Sequence, residues 1–206
     1  MTWDPEKWKP QTELCELATK HGTDKWNWHS YSPVYHRLLK NRRNDVRKVL
    51  EIGIGDPSSM ADPTGKPYVP GASLRMWQEY FPNADIYSLD NNARLLINEG
   101  RIRSFWCDQG NPDSLNSVIG QLGYEFDLIV DDGSHVPEHQ VLTANLYNQL
   151  LAPNGLYVIE DVWLYPSTVG WSKEPFGTKL EDLPAGAEVI YGEGNTDDRL
   201  ILIRKS

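Results

Sequence analysis

Two short stretches place acids where a chain would ordinarily avoid them. In LIVDDGSHVPEHQ, residues 128–140, an apolar run ends in Asp131 and Asp132, with His135 three residues further on. In GLYVIED, residues 155–161, a second apolar run ends in Glu160 and Asp161. Carboxylates at the ends of buried segments lose hydration and repel one another, so they take up protons unless a cation neutralises them. If the two runs are neighbouring strands, about 4.7–4.9 Å apart, the acids converge. Oxygen ligands without cysteine select a hard ion, Mg²⁺, with Mn²⁺ or Ca²⁺ as alternatives. A neutral His135 imidazole facing the same space suits general-base work on a hydroxyl whose pKa the ion has lowered. The same residues have a second reading. Asp-Asp-Gly-Ser is also turn chemistry that caps a helix starting near Pro137, and Glu160-Asp161 could cap the segment after it. His139, four residues after His135, reads as a surface or packing histidine.

A third stretch, LEIGIG, puts Gly53 and Gly55 at the end of an apolar run, where glycines let a ligand approach the backbone closely. Asp90 ends the next strand candidate, where a carboxylate can accept both ribose hydroxyls of a nucleoside. Asp108, in WCDQG, ends the third and is close enough to reach an adenine amino group. Glu51, Asp90 and Asp108 at three successive strand ends describe one crevice in a doubly wound sheet. The dinucleotide pattern G-x-G-x-x-G is absent, because Asp56, Pro57 and Ser58 follow Gly55. A diphosphate would want glycine and a free helix N-terminus there. The ligand is therefore read as a nucleoside without phosphates, and S-adenosylmethionine, with a cationic sulfonium, fits these acidic surroundings. An NAD-dependent oxidoreductase on a similar sheet, or a non-catalytic nucleoside-binding domain with merely capping acids, are the other readings.

These residues need a scaffold, and the pattern of runs supplies one. Val46 to Gly55, Ala84 to Asp90, Arg101 to Asp108, Phe126 to Asp132 and Gly155 to Asp161 are strand candidates. Helical segments are expected at Thr12 to Gly22, Val34 to Asn41, Ser73 to Tyr80, around Pro112 to Gly120, and at Glu138 to Leu151. Continuous apolar strands joined by helix-length crossovers imply a parallel sheet covered on both faces. Ala187 to Gly192 and Asp198 to Lys205 have hairpin spacing, so an antiparallel pair should close one edge. Asp56 to Pro70 is a Pro-rich loop inserted directly after the glycine turn, of a length usually tied to function or mobility.

Composition excludes several classes. The chain has 206 residues, 39% hydrophobic and 24% charged, which suits one compact domain. A net charge of −9 argues against a nucleic-acid surface. The basic stretch Lys40 to Lys48 reads as a solvated helix end and turn. No run is long enough for a membrane helix, and the start MTWDPEKWKP has no signal-peptide core. Cys15 and Cys107 lie far apart in neither a metal nor a redox spacing, so reduced thiols and a cytoplasmic setting are expected. Four of eight tryptophans, Trp3, Trp8, Trp26 and Trp28, fall in the first 28 residues and would cap a core edge or build a lid.

HGTDKWNWHSYSPVYHRLL, VLEIGIG, GASLRMWQEYFPNADIYSLD, DDGSHVPEHQ and LLAPNGLYVIED together resemble the metal-dependent sugar O-methyltransferases of macrolide biosynthesis, of the mycinamicin and demethylmacrocin type. The resemblance runs from about Leu14 to Arg204. It implies a class I, Rossmann-like methyltransferase sheet of seven strands, mostly parallel with an antiparallel C-terminal strand. It implies Mg²⁺ on Asp132 and Asp161, with Glu160 or Asp131 as a further ligand, and His135 as the base. It implies that an N-terminal helical lid, residues 1–45, folds over cofactor and substrate through Thr23, Asp24, Lys25, His29 and Tyr31, ahead of a cofactor-binding domain at 46–206. Asp24 and Gln109 join Glu51, Gly53, Gly55, Asp90 and Asp108 as cofactor-binding candidates. The substrate class implied is a sugar or glycosylated small molecule, and relatives assemble into multimers. The chain departs from the family in the 56–70 insertion and in lacking the extra N-terminal domain of the longer macrolide enzymes, so the macrolide itself does not carry over.

Overall fold

A computed structural model describes residues 9–60, 67–167, 175–192 and 198–205. Helix α1 spans Glu13–His21, held at its start by the Thr12 hydroxyl, which accepts from the Cys15 N–H, and stopped by Gly22 in the left-handed conformation. Helix α2 spans Tyr31–Leu39. It begins earlier than the expected Val34 because Pro33 sits in its first turn, where a missing N–H costs no hydrogen bond. Then follow β1 (Lys48–Ile52), α3 (Ala72–Tyr80), β2 (Asp85–Asp90), β3 (Asn98–Glu99), β4 (Ile102–Trp106), α4 (Pro112–Leu122) and β5 (Phe126–Asp131). Helix α5 (Pro137–Tyr147), β6 (Leu151–Ile159), β7 (Glu188–Tyr191) and β8 (Arg199–Arg204) complete the order.

The sheet order is β3-β4-β2-β1-β5-β6-β8-β7. Strands β4, β2, β1, β5 and β6 are parallel, while β8 runs antiparallel between β6 and β7. The count is eight rather than the expected seven, because the two-residue β3 pairs antiparallel with β4 at the outer edge. Strand β6 also starts at Leu151, which pairs with Phe126, so α5 ends at Tyr147 instead of running on to Leu151.

Successive strand residues are buried on opposite faces, as a sheet covered twice requires. Val49, Leu128, Val130 and Val158 pack with α1, α2 and α3 around Trp26, Tyr35 and Trp77. Leu50, Ile129, Tyr157 and Ile159 pack with α4 and α5 around Phe126 and Tyr147. The described part of the expected N-terminal lid is therefore embedded in a core through α1 and α2, although Thr23 and Asp24 reach the cleft. Trp26 is buried and Trp28 is half exposed, while Trp3 and Trp8 lie outside the described residues. Within the basic stretch Arg42 donates to Asn154 O and Asp127 O, Lys48 donates to Leu122 O and Tyr124 O, and Arg43 pairs with Glu13. Both cysteines are free and buried. Among the described residues, no helix is long and apolar enough to cross a membrane.

Candidate active site

The carboxyl ends of the parallel strands open onto a cleft of about 300 Å³. The parallel pairing of β5 with β6, Asp131 opposite Ile159, brings the two acidic stretches together as expected. At the end of β1 the chain turns through Gly53, φ 99°, whose N–H donates to Leu89 O at 2.8 Å. A Cβ on Gly53 would run into the Asp132 carbonyl oxygen. Gly53→Ala is expected to cost about 2–3 kcal/mol, read as a Tm lower by about 5–10 °C in thermal unfolding. A Tm within 1 °C of wild type would show that the turn relaxes without strain.

Asp90 lies beside this turn, its carboxylate accepting from Ile54 N at 3.0 Å and Asn92 N at 2.7 Å. Asp108 lies further along the same cleft and accepts from Gly110 N at 3.0 Å. Gln109 lines the cleft, but both ends of its amide are engaged. It donates to Asp131 Oδ1 at 2.7 Å and accepts from Ser134 N at 2.9 Å, so it braces the β4 end against the β5 end. Asp131 points to the α4–α5 side, where Tyr157 OH also donates to it at 3.1 Å. Burial pushes its carboxyl up to about 7, against the pull of Gln109 and Tyr157. His139, read from sequence as a surface or packing residue, also lines the cleft, with Nδ1 2.9 Å from Ser134 Oγ and its ring against Gly110.

Beneath the acids sits Lys25, almost wholly buried. Its ammonium donates to Asp132 Oδ2 at 2.7 Å and to Glu160 Oε2 at 2.6 Å, and lies 3.2 Å from Glu51 Oε1. Burial alone would lower its pKa, but these carboxylates hold it well above the ordinary range, so Lys25 stays charged. The second oxygen of Glu160 accepts from Tyr35 OH at 2.6 Å, and that of Glu51 from Trp77 Nε1 at 2.6 Å. Burial raises both carboxyls, with Lys25 opposing. Glu160, expected among the metal ligands, lies beside Asp161 in the chain, with one oxygen accepting from Lys25 and the other from Tyr35. Glu51, expected to meet the cofactor, lines the cleft and also holds Lys25 and Trp77. Asp24 borders the cleft on the same side, its carboxyl raised by burial and by Asp132.

Asp132, His135 and Asp161 come together in the cleft, with potential ligand atoms within 4.8 Å of one another. Tyr31 OH donates to Asp161 Oδ1 at 2.6 Å, and His135 Nε2 is 3.8 Å from Asp161 Oδ2. On the far side His29 Nε2 is 3.7 Å from Asp161 Oδ1, while His29 Nδ1 is 3.0 Å from Asp198 Oδ1, just ahead of β8. Both His135 (φ 56°) and Asp161 (φ 50°) hold left-handed backbones that non-glycine residues rarely adopt. Such strain persists where the surroundings fix a side chain for a task. His135 Nδ1 is buried with no hydrogen-bond partner among the described residues. The two carboxylates suit a hard divalent cation, and the imidazole beside them has a ring nitrogen that can take up a proton. Lys25, His29 and Tyr31 were expected near the ligands, but Tyr35, Trp77 and Asp198 carried no sequence signal of this role. Each meets the site only through α2, α3 or the C-terminal hairpin.

No protein-family model matches the chain. It is 36% identical over 173 residues to the demethylmacrocin O-methyltransferase of Streptomyces fradiae, covering 83% of this chain and 42% of that protein. It is 36% identical over 152 residues to the mycinamicin VI 2''-O-methyltransferase of Micromonospora griseorubida, covering 73% and 36%. Among solved structures it superposes on MycE methyltransferase from the mycinamycin biosynthetic pathway, in complex with Mg and SAH. That match has a TM-score of 0.63 and 35% identity, over 75% of this chain and 38% of that one. The chain thus spans less than half the length of the curated relatives it matches. By sequence and by its mostly parallel sheet, it is a relative of the macrolide and sugar O-methyltransferases and carries their Rossmann-like methyltransferase fold.

Proposed function

We propose that the chain is an S-adenosylmethionine-dependent, Mg²⁺-assisted O-methyltransferase acting on a hydroxyl of a sugar or glycosylated small molecule. The observation that carries this is one cleft lined by Asp90 and Asp108 at one side and by Asp132, His135 and Asp161 at the other. The relatives support it: one crystal structure holds MycE with Mg, SAH and mycinamycin VI. When bound, the cofactor would supply the methyl group and Mg²⁺, or Mn²⁺, would lower the pKa of the acceptor hydroxyl.

The chain's own residues do the rest. Asp90 and Asp108 orient a nucleoside, with acceptor lone pairs left beside the backbone N–H groups they already take. Asp132 and Asp161 would hold the cation. Lys25 takes Asp132 Oδ2, which leaves Oδ1 for the ion, and Tyr31 fixes Asp161 by its Oδ1. His135 is placed to accept the hydroxyl proton, its backbone turned into the cleft. Asp56 stands where a dinucleotide's diphosphate would need N–H donors, which favours the methyl donor over NAD.

Thermal unfolding with S-adenosylhomocysteine, with and without Mg²⁺, tests the reading. Ligand at about 100 times its Kd adds roughly 2.7 kcal/mol, a Tm rise of about 5–10 °C. A rise enlarged by Mg²⁺ is expected. No rise in either condition would remove the cofactor assignment.

A further inference from the structure

The segment between the glycine turn and α3, residues 56–70, has no role in the chemistry above, yet its described residues return to the cleft. Asp56, Ser59, Met60 and Tyr68 all line it. The start of the segment is fixed by Asp56, whose carboxylate accepts from Ser58 N at 2.8 Å and from Asn92 Nδ2 at 3.2 Å, two residues beyond Asp90. Its end is fixed by Gly71 N–H, which donates to Ile54 O at 2.8 Å. Between these anchors Tyr68 OH donates to the same Ile54 O at 3.3 Å. The phenol lies directly against Gly55, so that a Cβ there would overlap its hydroxyl. Asp24, Asp132, Glu51 and Lys25 are the charged groups that act on it; burial and the three carboxylates keep the phenol protonated.

The donor is a linear molecule: adenine, ribose, sulfonium, then an amino-acid end. With ribose at Asp90 and adenine at Asp108, the methyl group must face His135, Asp132 and Asp161. The amino-acid end is left with the stretch of cleft bounded by Gly53, Gly55, Asp24 and Tyr68. The Tyr68 proton is already given to Ile54 O, so the phenolic oxygen offers acceptor lone pairs. Asp24, Asp132, Glu51 and Glu160 gather here around one ammonium, that of Lys25, so the surplus of carboxyl groups favours a cation over a carboxylate.

We propose that Tyr68 is a donor-binding residue that accepts a hydrogen bond from the α-ammonium group of the methyl donor. This rests on the methyl-donor reading above. The insertion then supplies part of the cofactor site itself, beyond any influence on the acceptor.

The test is isothermal titration of wild type and Tyr68→Phe with two ligands, S-adenosylhomocysteine and 5′-methylthioadenosine, which lacks the amino-acid end. Phenylalanine keeps the ring packed on Gly55 and removes only the oxygen. Loss of one hydrogen bond to a charged group should raise the Kd for S-adenosylhomocysteine roughly tenfold. The Kd for 5′-methylthioadenosine should stay within about twofold. Equal weakening of both ligands would mean that Tyr68 acts only by shaping the glycine turn, and unchanged binding of both would mean that it does not meet the donor; either overturns the proposal. Wild-type protein that binds neither ligand would overturn the methyl-donor reading together with the proposal built on it.

Discussion

Lys25→Met should destabilise the protein by about 3–5 kcal/mol, the usual cost of leaving buried charge without its partner. Lys25 is about 1% exposed and meets Asp132, Glu160 and Glu51 with distances of 2.7, 2.6 and 3.2 Å. Methionine matches the length of the stem but leaves three acids facing one another, Glu51 and Glu160 away from water and Asp132 at the cleft. They would have to take up protons or open the N-terminal segment that brings Lys25 in. Urea denaturation at pH 7 measures the loss directly, as a lower midpoint with an unchanged slope. A second variant separates charge from packing. Lys25→Met combined with Glu160→Gln removes one of the stranded charges while keeping an acceptor for Tyr35, and should recover part of the loss. A single-variant loss under about 1 kcal/mol would show that the acids share protons and that Lys25 is not their counter-charge.

His135→Ala should lower kcat by roughly a hundredfold to ten-thousandfold, the range for removing a positioned general base, while binding of S-adenosylhomocysteine is retained. The split follows from geometry. His135 stands with Asp132 and Asp161, at the opposite side of the cleft from Asp90 and Asp108, to which the proposed function gives the nucleoside. Its left-handed backbone, φ 56°, is a strain that alanine relieves no better than histidine, so the fold should tolerate the change. Single-turnover methyl transfer to a glycoside acceptor, with titration of S-adenosylhomocysteine alongside, reads both halves. Unchanged turnover would remove the base assignment. A parallel loss of cofactor binding would show that His135 shapes the whole cleft.

The sheet was legible because burial on two faces leaves continuous apolar runs, and because glycine and acids punctuate their ends. Leu50 to Gly55 announced the turn, and Phe126 to Asp132 announced a strand whose acids had to meet those of a neighbour. The adjacency of β5 and β6 then followed from strand order in such sheets, and with it the meeting of Asp132, His135 and Asp161. Hairpin spacing likewise announced β7 and β8, but not that β8 inserts between β6 and β7, since pairing order depends on which edge buries more apolar surface. The two-residue β3 has too little pattern to be seen.

What the sequence did not reveal is which acid serves which neighbour. Asp131 and Asp132 are adjacent in the chain, yet the pleat sends Asp131 to Gln109 and Tyr157 and Asp132 to Lys25. Nothing in the sequence tied Glu160 to internal partners. Only the fold brings Lys25 and Tyr35, 135 and 125 residues away in sequence, onto its two oxygens. Residue type and spacing determine that charge will gather at the strand ends. Which charges are neutralised inside the protein, and which remain for a ligand, depends on contacts between distant segments, and those exist only once the core has packed.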